Sequence, residues 1–479
     1  MPKPDIFLRA PWWLAAASAV LLAGCAATQT PLQPPAPVPH DGPAVPAWHA
    51  PAFDPAAEPA PVATACPSEV PRTARCFGGR DSAGAYYYIA VPQDWQGTLV
   101  LHDHGGPELG APKAERTVDD LNRWAVMVRA GYAWAGSTYH QGGVAVRDAA
   151  ADSERLRRIF SQYIAVPRIT VLHGQSWGAS VAARQAELFT EQTVGRRPYD
   201  AVLLTSGVLG GGSHSYDVRT DLRAVYQYLC HNHPRPTEPA YALNLGLPAG
   251  VHMSRADLKA RADECLGLDR PAAQRTPAQQ GRVETLERVL RIPASAILPH
   301  LYWGTFHFQD ISSHRTGGAS PFGNIGAVYG GSADDAALNA GVPRLAADPV
   351  AYARFAADTD PTGHIPAPVP VLSVKWISDP TAFAELDAQF RSTMDRAGSG
   401  GRLVQTFTRQ GTHSYISDPT YVALMGALLD WSSKGDKPTP EGVAARCRSA
   451  EARFGAGCTF EPAYVPAPLA TRVPERQRP

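Results

Sequence analysis

Apolar residues fall in two rhythms along this chain, and the two alternate. Short unbroken apolar runs at Ala85–Val91, Thr98–His102, Tyr132–Thr138, Ile169–Leu172 and Ala201–Leu204 predict strands. Between them stand stretches with an apolar residue every three or four positions. Thr117–Ala130 puts Leu121, Trp124, Ala125 and Val128 on one face. Arg147–Tyr163 does the same with Leu156, Ile159, Phe160 and Tyr163, and Ser176–Thr190 continues the series. Strands with no polar alternation, each followed by a helix, predict a mostly parallel sheet covered by helices on both faces.

The alternation stops over 209–366, where proline-rich turns, scattered helices and aromatic clusters such as Leu301–Phe308 replace it. It resumes with strand Val369–Trp376, helix Ala382–Arg396, strand Leu403–Thr408 and helix Tyr421–Trp431. A separate second domain would strand those last two β-segments without a sheet. The expected layout is therefore one α/β core in two parts, 66–208 and 367–435, with a mainly helical cap inserted at 209–366. Residues 436–479 are expected to follow as an extended wrap along the core.

The beginning of the chain reads differently. Lys3 and Arg9 precede a short apolar run, Trp12–Leu22, too short to span a bilayer stably and suited to a signal segment over 1–25. It ends in Leu22-Ala23-Gly24-Cys25, which resembles the lipobox of bacterial lipoproteins and makes Cys25 the lipidation candidate. Ordinary secretory cleavage nearby is the other reading. Either one exports the protein, as a periplasm-facing or outer-membrane lipoprotein or as a secreted one. A membrane is expected as partner only through lipid on Cys25. Residues 26–65, dominated by proline and alanine, are expected to form a tether, extended as far as Ala63.

Cysteine usage fits export. Of the seven cysteines, six lie beyond Cys25, and proximity pairs them as Cys66–Cys76, Cys230–Cys265 and Cys447–Cys458. The 479 residues carry a formal charge of +0. A nucleic-acid partner would leave a basic imprint, so none is expected; small or polymeric, mostly uncharged substrates are. The sequence is silent on oligomeric state.

Candidate chemistry centres on Ser176. An apolar strand ends, Gly174 and Gly178 frame the serine, and a helix begins, as a nucleophile elbow requires. A serine hydroxyl needs a base and an orienting carboxylate. Asp379 follows the strand "PVLSVKW", and His413 follows "LVQTF" one strand–helix–strand unit later. Each also has a plain structural use: Asp379 before Pro380 suits a helix cap, and His413 suits a loop. Asp358, Asp360 and His364 precede the strand and do not fit the order. For an oxyanion, the backbone N–H of Trp177 is one expected donor. The second comes from the "HGGP" loop after Thr98–His102, with Gly106 first and Gly105 second, since Pro107 has no N–H.

At these residues the chain resembles the α/β-hydrolase superfamily, over roughly Ala85–Leu204 and Val369–Trp431. The resemblance implies an α/β-hydrolase fold with Ser176 as nucleophile, His413 as base and Asp379 as acid. "HGGP" with "GQSWG" is also similar to the proline iminopeptidase branch, from which Glu108, Gln175 and Thr412 depart.

"CHNHP" around Cys230 has no second ligand pair at zinc spacing, and no Walker-type loop occurs, so neither metal nor cofactor is expected. His300, His307 and His314 recur at intervals of seven and suit a cap lining. Tyr302, Trp303, Phe306 and Phe308 suit either an apolar acyl site or the cap's own core. Ester hydrolysis through an acyl-enzyme is the expected function, aminopeptidase activity the alternative, and a non-catalytic binding lipoprotein the third.

Overall fold

A computed structural model of the chain describes residues 48–190 and 197–479. The signal segment, Cys25 and the first part of the tether lie outside the described residues.

The strands are β1 (Val62–Thr64), β2 (Arg75–Arg80), β3 (Tyr86–Val91), β4 (Thr98–Asp103), β5 (Ala133–Ser137), β6 (Ile169–Gln175), β7 (Ala201–Thr205), β8 (Val371–Trp376) and β9 (Leu403–Thr408). They form one sheet in the order β1-β2-β3-β5-β4-β6-β7-β8-β9. β1, β2 and β3 run antiparallel to their neighbours, while β5 through β9 pair in parallel. Every second residue of β4 faces the opposite layer: Leu99 and Leu101 enter one core, Val100 the other. Burial on both faces is why these strands read as continuous apolar runs.

One layer holds the helices Val146–Tyr163, Trp177–Thr190 and Glu385–Arg396. The other holds Glu115–Arg123, Ala125–Arg129, Asp418–Lys434 and Pro440–Phe454. Thr117–Ala130, expected as a single helix, breaks at Trp124, whose ring packs against His173 and Tyr421 in the core. Between β7 and β8 the chain is helical, with Asp217–Cys230, Arg255–Leu266, Pro277–Leu290, Ala294–Tyr302 and Pro349–Thr359 its longest helices. Its apolar residues, Leu222, Leu258, Leu286 and Ile297 among them, are continuous with the first core.

Three disulfides close: Cys66–Cys76, Cys230–Cys265 and Cys447–Cys458, with Cα separations of 5.2, 5.7 and 5.8 Å. No described helix is long and apolar enough to cross a membrane.

Two expectations need correction. The proline- and alanine-rich segment is no free tether over 48–64. Trp48 Nε1 donates to Asp148 (3.1 Å), buried Glu58 accepts from Ser82 and pairs with Arg155, and β1 adds an edge strand. The segment has no hydrophobic periodicity, which hid these few anchors. The C-terminal extension begins as a helix, Pro440–Phe454, capped by Thr439 with proline in its first turn. Only afterwards does it run extended. There Arg476 and Arg478 pair with Asp221 and Asp217 on the helix Asp217–Cys230, each at 2.7 Å.

Candidate active site

β6 ends at Gln175, and the helix Trp177–Thr190 begins two residues later, so Ser176 sits alone in the turn. Its φ is +58°, a left-handed value costly for any residue but glycine. The turn is held by Ser176 N–H donating to Thr205 O (2.9 Å) and by Val208 N–H donating to Ser176 O (3.0 Å). The flanking glycines let the helix cross close over the strands. A Cβ on Gly174 would strike Gly178 O, and one on Gly178 would strike Asp103 O.

Three loops converge above this turn. His413, in the loop after β9, lies with Nε2 2.7 Å from Ser176 Oγ and Nδ1 2.8 Å from Asp379 Oδ2. Nδ1–H donating to the carboxylate leaves Nε2 as the acceptor for the serine proton. Asp379 follows β8. Its other oxygen accepts from the N–H groups of Thr381 (2.8 Å) and Ala382 (3.0 Å), so it orders its own turn and the imidazole together. The helix after it starts only at Glu385, so Asp379 caps a turn and not the helix. Burial works against its charge, yet His413 and the Ala382 amide outweigh that and hold the carboxyl below its usual range.

The "HGGP" loop supplies the facing wall. A Cβ on Gly105 would lie 2.7 Å from the Cβ of Ser176, and Gly106 takes φ +67°. Arg116 donates to Gly105 O (2.6 Å) and pairs with Asp120 (2.7 Å) and Glu108 (3.0 Å). Gly105, Gly106 and Trp177 line one cleft of about 320 Å³ with Ser176 and His413.

Several site features were missed in the sequence. Gln175, noted only as a departure from a motif, donates from Nε2 to His413 O (2.9 Å) and ties the base loop to the elbow. Tyr216 and Arg219 enter the cleft from the segment after β7. Of the four aromatics weighed as an acyl site, Trp303 lines the cleft, stacked on Tyr216 at 4.2 Å. Phe308 instead stacks on Phe322 (4.1 Å) in the apolar core. Tyr302 and Phe306 pack against each other and that core.

The spaced histidines are not a shared lining. His300 Nε2–H donates to Pro380 O (2.8 Å), beside Asp379, and His307 Nε2–H donates to Pro107 O (2.9 Å), beside Gly106. His314 is exposed and meets Asp310. Asp358 accepts from the N–H groups of Val146 and Arg147, and Asp360 from Ser213, while His364 is exposed. Among the described residues no cluster could hold a metal ion.

The strand order, and a serine on the sharp turn between a parallel strand and its helix, define the α/β-hydrolase fold. No family model and no curated protein matches the chain. Among solved structures it is similar to an esterase from Aspergillus oryzae (12% identity, 79% of this chain and 86% of that one, TM-score 0.41). Feruloyl esterase B from Aspergillus oryzae gives 14% identity over 79% and 86%, TM-score 0.37. A bacterial heroin esterase gives 15% over 78% and 83%, TM-score 0.36. At such identity and superposition nothing about substrate carries over.

Proposed function

We propose that the protein is a serine hydrolase acting on carboxylic esters by two-step acyl transfer. The reading is carried by the continuous relay from Ser176 Oγ through His413 to Asp379, 2.7 and 2.8 Å, on a serine held at φ +58°. His413 Nε2 takes the hydroxyl proton as Ser176 Oγ attacks the ester carbonyl. The backbone N–H groups of Gly106 and Trp177 receive the oxyanion, and the imidazolium returns its proton to the leaving alcohol. Water, deprotonated by His413, then releases the acid and restores the serine. Asp379 keeps the imidazole in the accepting tautomer and stabilises its charge. An ester is favoured over a peptide with a free N-terminus because, among the described residues, no carboxylate lines the cleft to meet an ammonium group.

The same reading places the protein outside the cytoplasm, anchored through Cys25 where that residue is lipidated and secreted otherwise. Three disulfides support an oxidising compartment.

Labelling the purified protein with a fluorophosphonate serine probe, beside Ser176→Ala, tests the reading. Labelling of the first and not the second is expected. A well-folded protein that stays unlabelled at high probe concentration would count against the relay. Aryl esters set against aminoacyl anilides then separate esterase from aminopeptidase.

A further inference from the structure

Arg219 is an unusual residue to find in this cleft. It lies on the helix Asp217–Cys230, is 3% exposed, and lines the cleft that holds Ser176 and His413. Nη1 donates to Ser215 O (2.9 Å), while the buried Nε has no hydrogen-bond partner. No carboxylate of the described residues pairs with it. Its nearest charge-stabilising neighbours are two aromatic faces, Tyr216 at 5.2 Å and Trp303 at 4.7 Å from the guanidinium carbon. Burial, opposed by Tyr216, pulls its pKa down to about 10, which leaves it cationic at neutral pH. A buried charge without a counterion costs several kcal/mol by general estimates, and folds retain one where something supplies the partner.

The other cations at the cleft are already matched. Arg116 pairs with Asp120 and Glu108, and Arg123 reaches Asp120 at 3.7 Å. Among the described residues, Arg219 is therefore the cation lining the cleft that has no carboxylate partner. We propose that the substrate is an ester bearing a second, free carboxylate, which the guanidinium of Arg219 binds where that residue lines the cleft. A single open charge suits a monoanion, and the planar fork suits a carboxylate. The rings of Tyr216 and Trp303 hold the fork in one plane and exclude water from the pair. Near-zero net charge, which points towards uncharged substrates, is blind to one buried cation.

The proposal rests on the hydrolase reading above, and its test keeps the two apart. Two near-isosteric substrate pairs are compared: phenyl hydrogen adipate with phenyl hexanoate, and 4-acetoxybenzoate with 4-acetoxytoluene. The first pair puts the carboxylate on the acyl side and the second on the alcohol side. In at least one pair kcat/KM is expected to favour the anion by about tenfold or more, with the advantage shrinking as salt rises. Arg219→Gln is expected to cut that ratio at least about tenfold, and Arg219→Lys to restore part of it. Should Arg219→Gln fail to fold, free adipate and benzoate are expected to slow fluorophosphonate labelling of the unmodified protein competitively. Turnover of the neutral esters with no anionic preference in either pair, and no protection by the free acids, would overturn this inference alone. Absence of both labelling and turnover would sink the hydrolase reading along with it.

Discussion

The cleft has two halves that treat charge in opposite ways. On the sheet side the charged groups around the relay are answered within the protein. Asp379 meets His413, Arg116 meets Asp120 and Glu108, and the amide of Gln175 meets the His413 carbonyl. On the cap side Arg219 is left open between Tyr216 and Trp303. Groups answered internally are fixed before any ligand arrives, which is what positioning requires. A group left open has differential affinity for whatever brings the missing charge. The sheet half is thus built for one chemistry, and the cap half for choosing its object.

That division is sharpest where one sheet-side group is removed. Ser176→Ala is expected to lower kcat roughly a millionfold, leaving only what the oxyanion donors and binding supply. Residual hydrolysis close to that of the unmodified protein would break the division outright. Asp379→Asn is expected to cost about 10⁴-fold in kcat. An amide offering N–H to Nδ1 forces the imidazole into the tautomer whose Nε2 carries a proton and cannot accept one from Ser176. Gln175→Ala removes only the tie between elbow and base loop. About a tenfold loss in kcat with KM little changed is expected there, measured on a neutral aryl ester. A rise in KM with kcat intact would move Gln175 to the substrate-choosing half instead.

The two halves were also unequally legible in the sequence. The sheet side announces itself because buried parallel strands leave apolar runs, and because the elbow needs glycine at 174 and 178 for contacts that no side chain permits. Asp379 and His413 became candidates because each follows a late strand, in the chain order that the α/β-hydrolase resemblance implies. Element ends drifted by a few residues: β6 runs on to Gln175, past glycine 174, because that glycine serves helix approach and does not break the strand. Edge elements escaped altogether. β2, Arg-Cys-Phe-Gly-Gly-Arg, lacks an apolar run, and the helix Pro440–Phe454 buries only Val443, Ala444 and Cys447. Arg219 carries no motif. What distinguishes it is a missing partner, and that exists only in three dimensions. The intervals between His300, His307 and His314 were visible, but their meaning was not, since a π-helical turn at Trp303–His307 shifts the face between the first two.

Those first two histidines join the halves, and they yield the smallest expected effect. His300 reaches the carbonyl beside the acid, and His307 the carbonyl beside the oxyanion loop, so each cap histidine steadies one sheet-side loop. Both are neutral in the folded protein. Burial first, with Arg219 adding to it, takes His300 to about 3; burial takes His307 to about 4, the bond to Pro107 opposing it. In the unfolded chain each titrates near 6.5, so below that value the unfolded state binds more protons and stability falls as pH falls. The window runs from about 6.5 down to about 4 for His307 and about 3 for His300, at no more than about 1.4 kcal/mol per pH unit for each group. A thermal melt is therefore expected to drop by a few degrees between pH 7 and pH 5. His300→Gln has no ring to protonate and keeps an N–H donor for the Pro380 carbonyl; its melting temperature should fall less over the same interval. Equal slopes in the two proteins would mean that the His300 link between cap and core is not among the groups sensing acid.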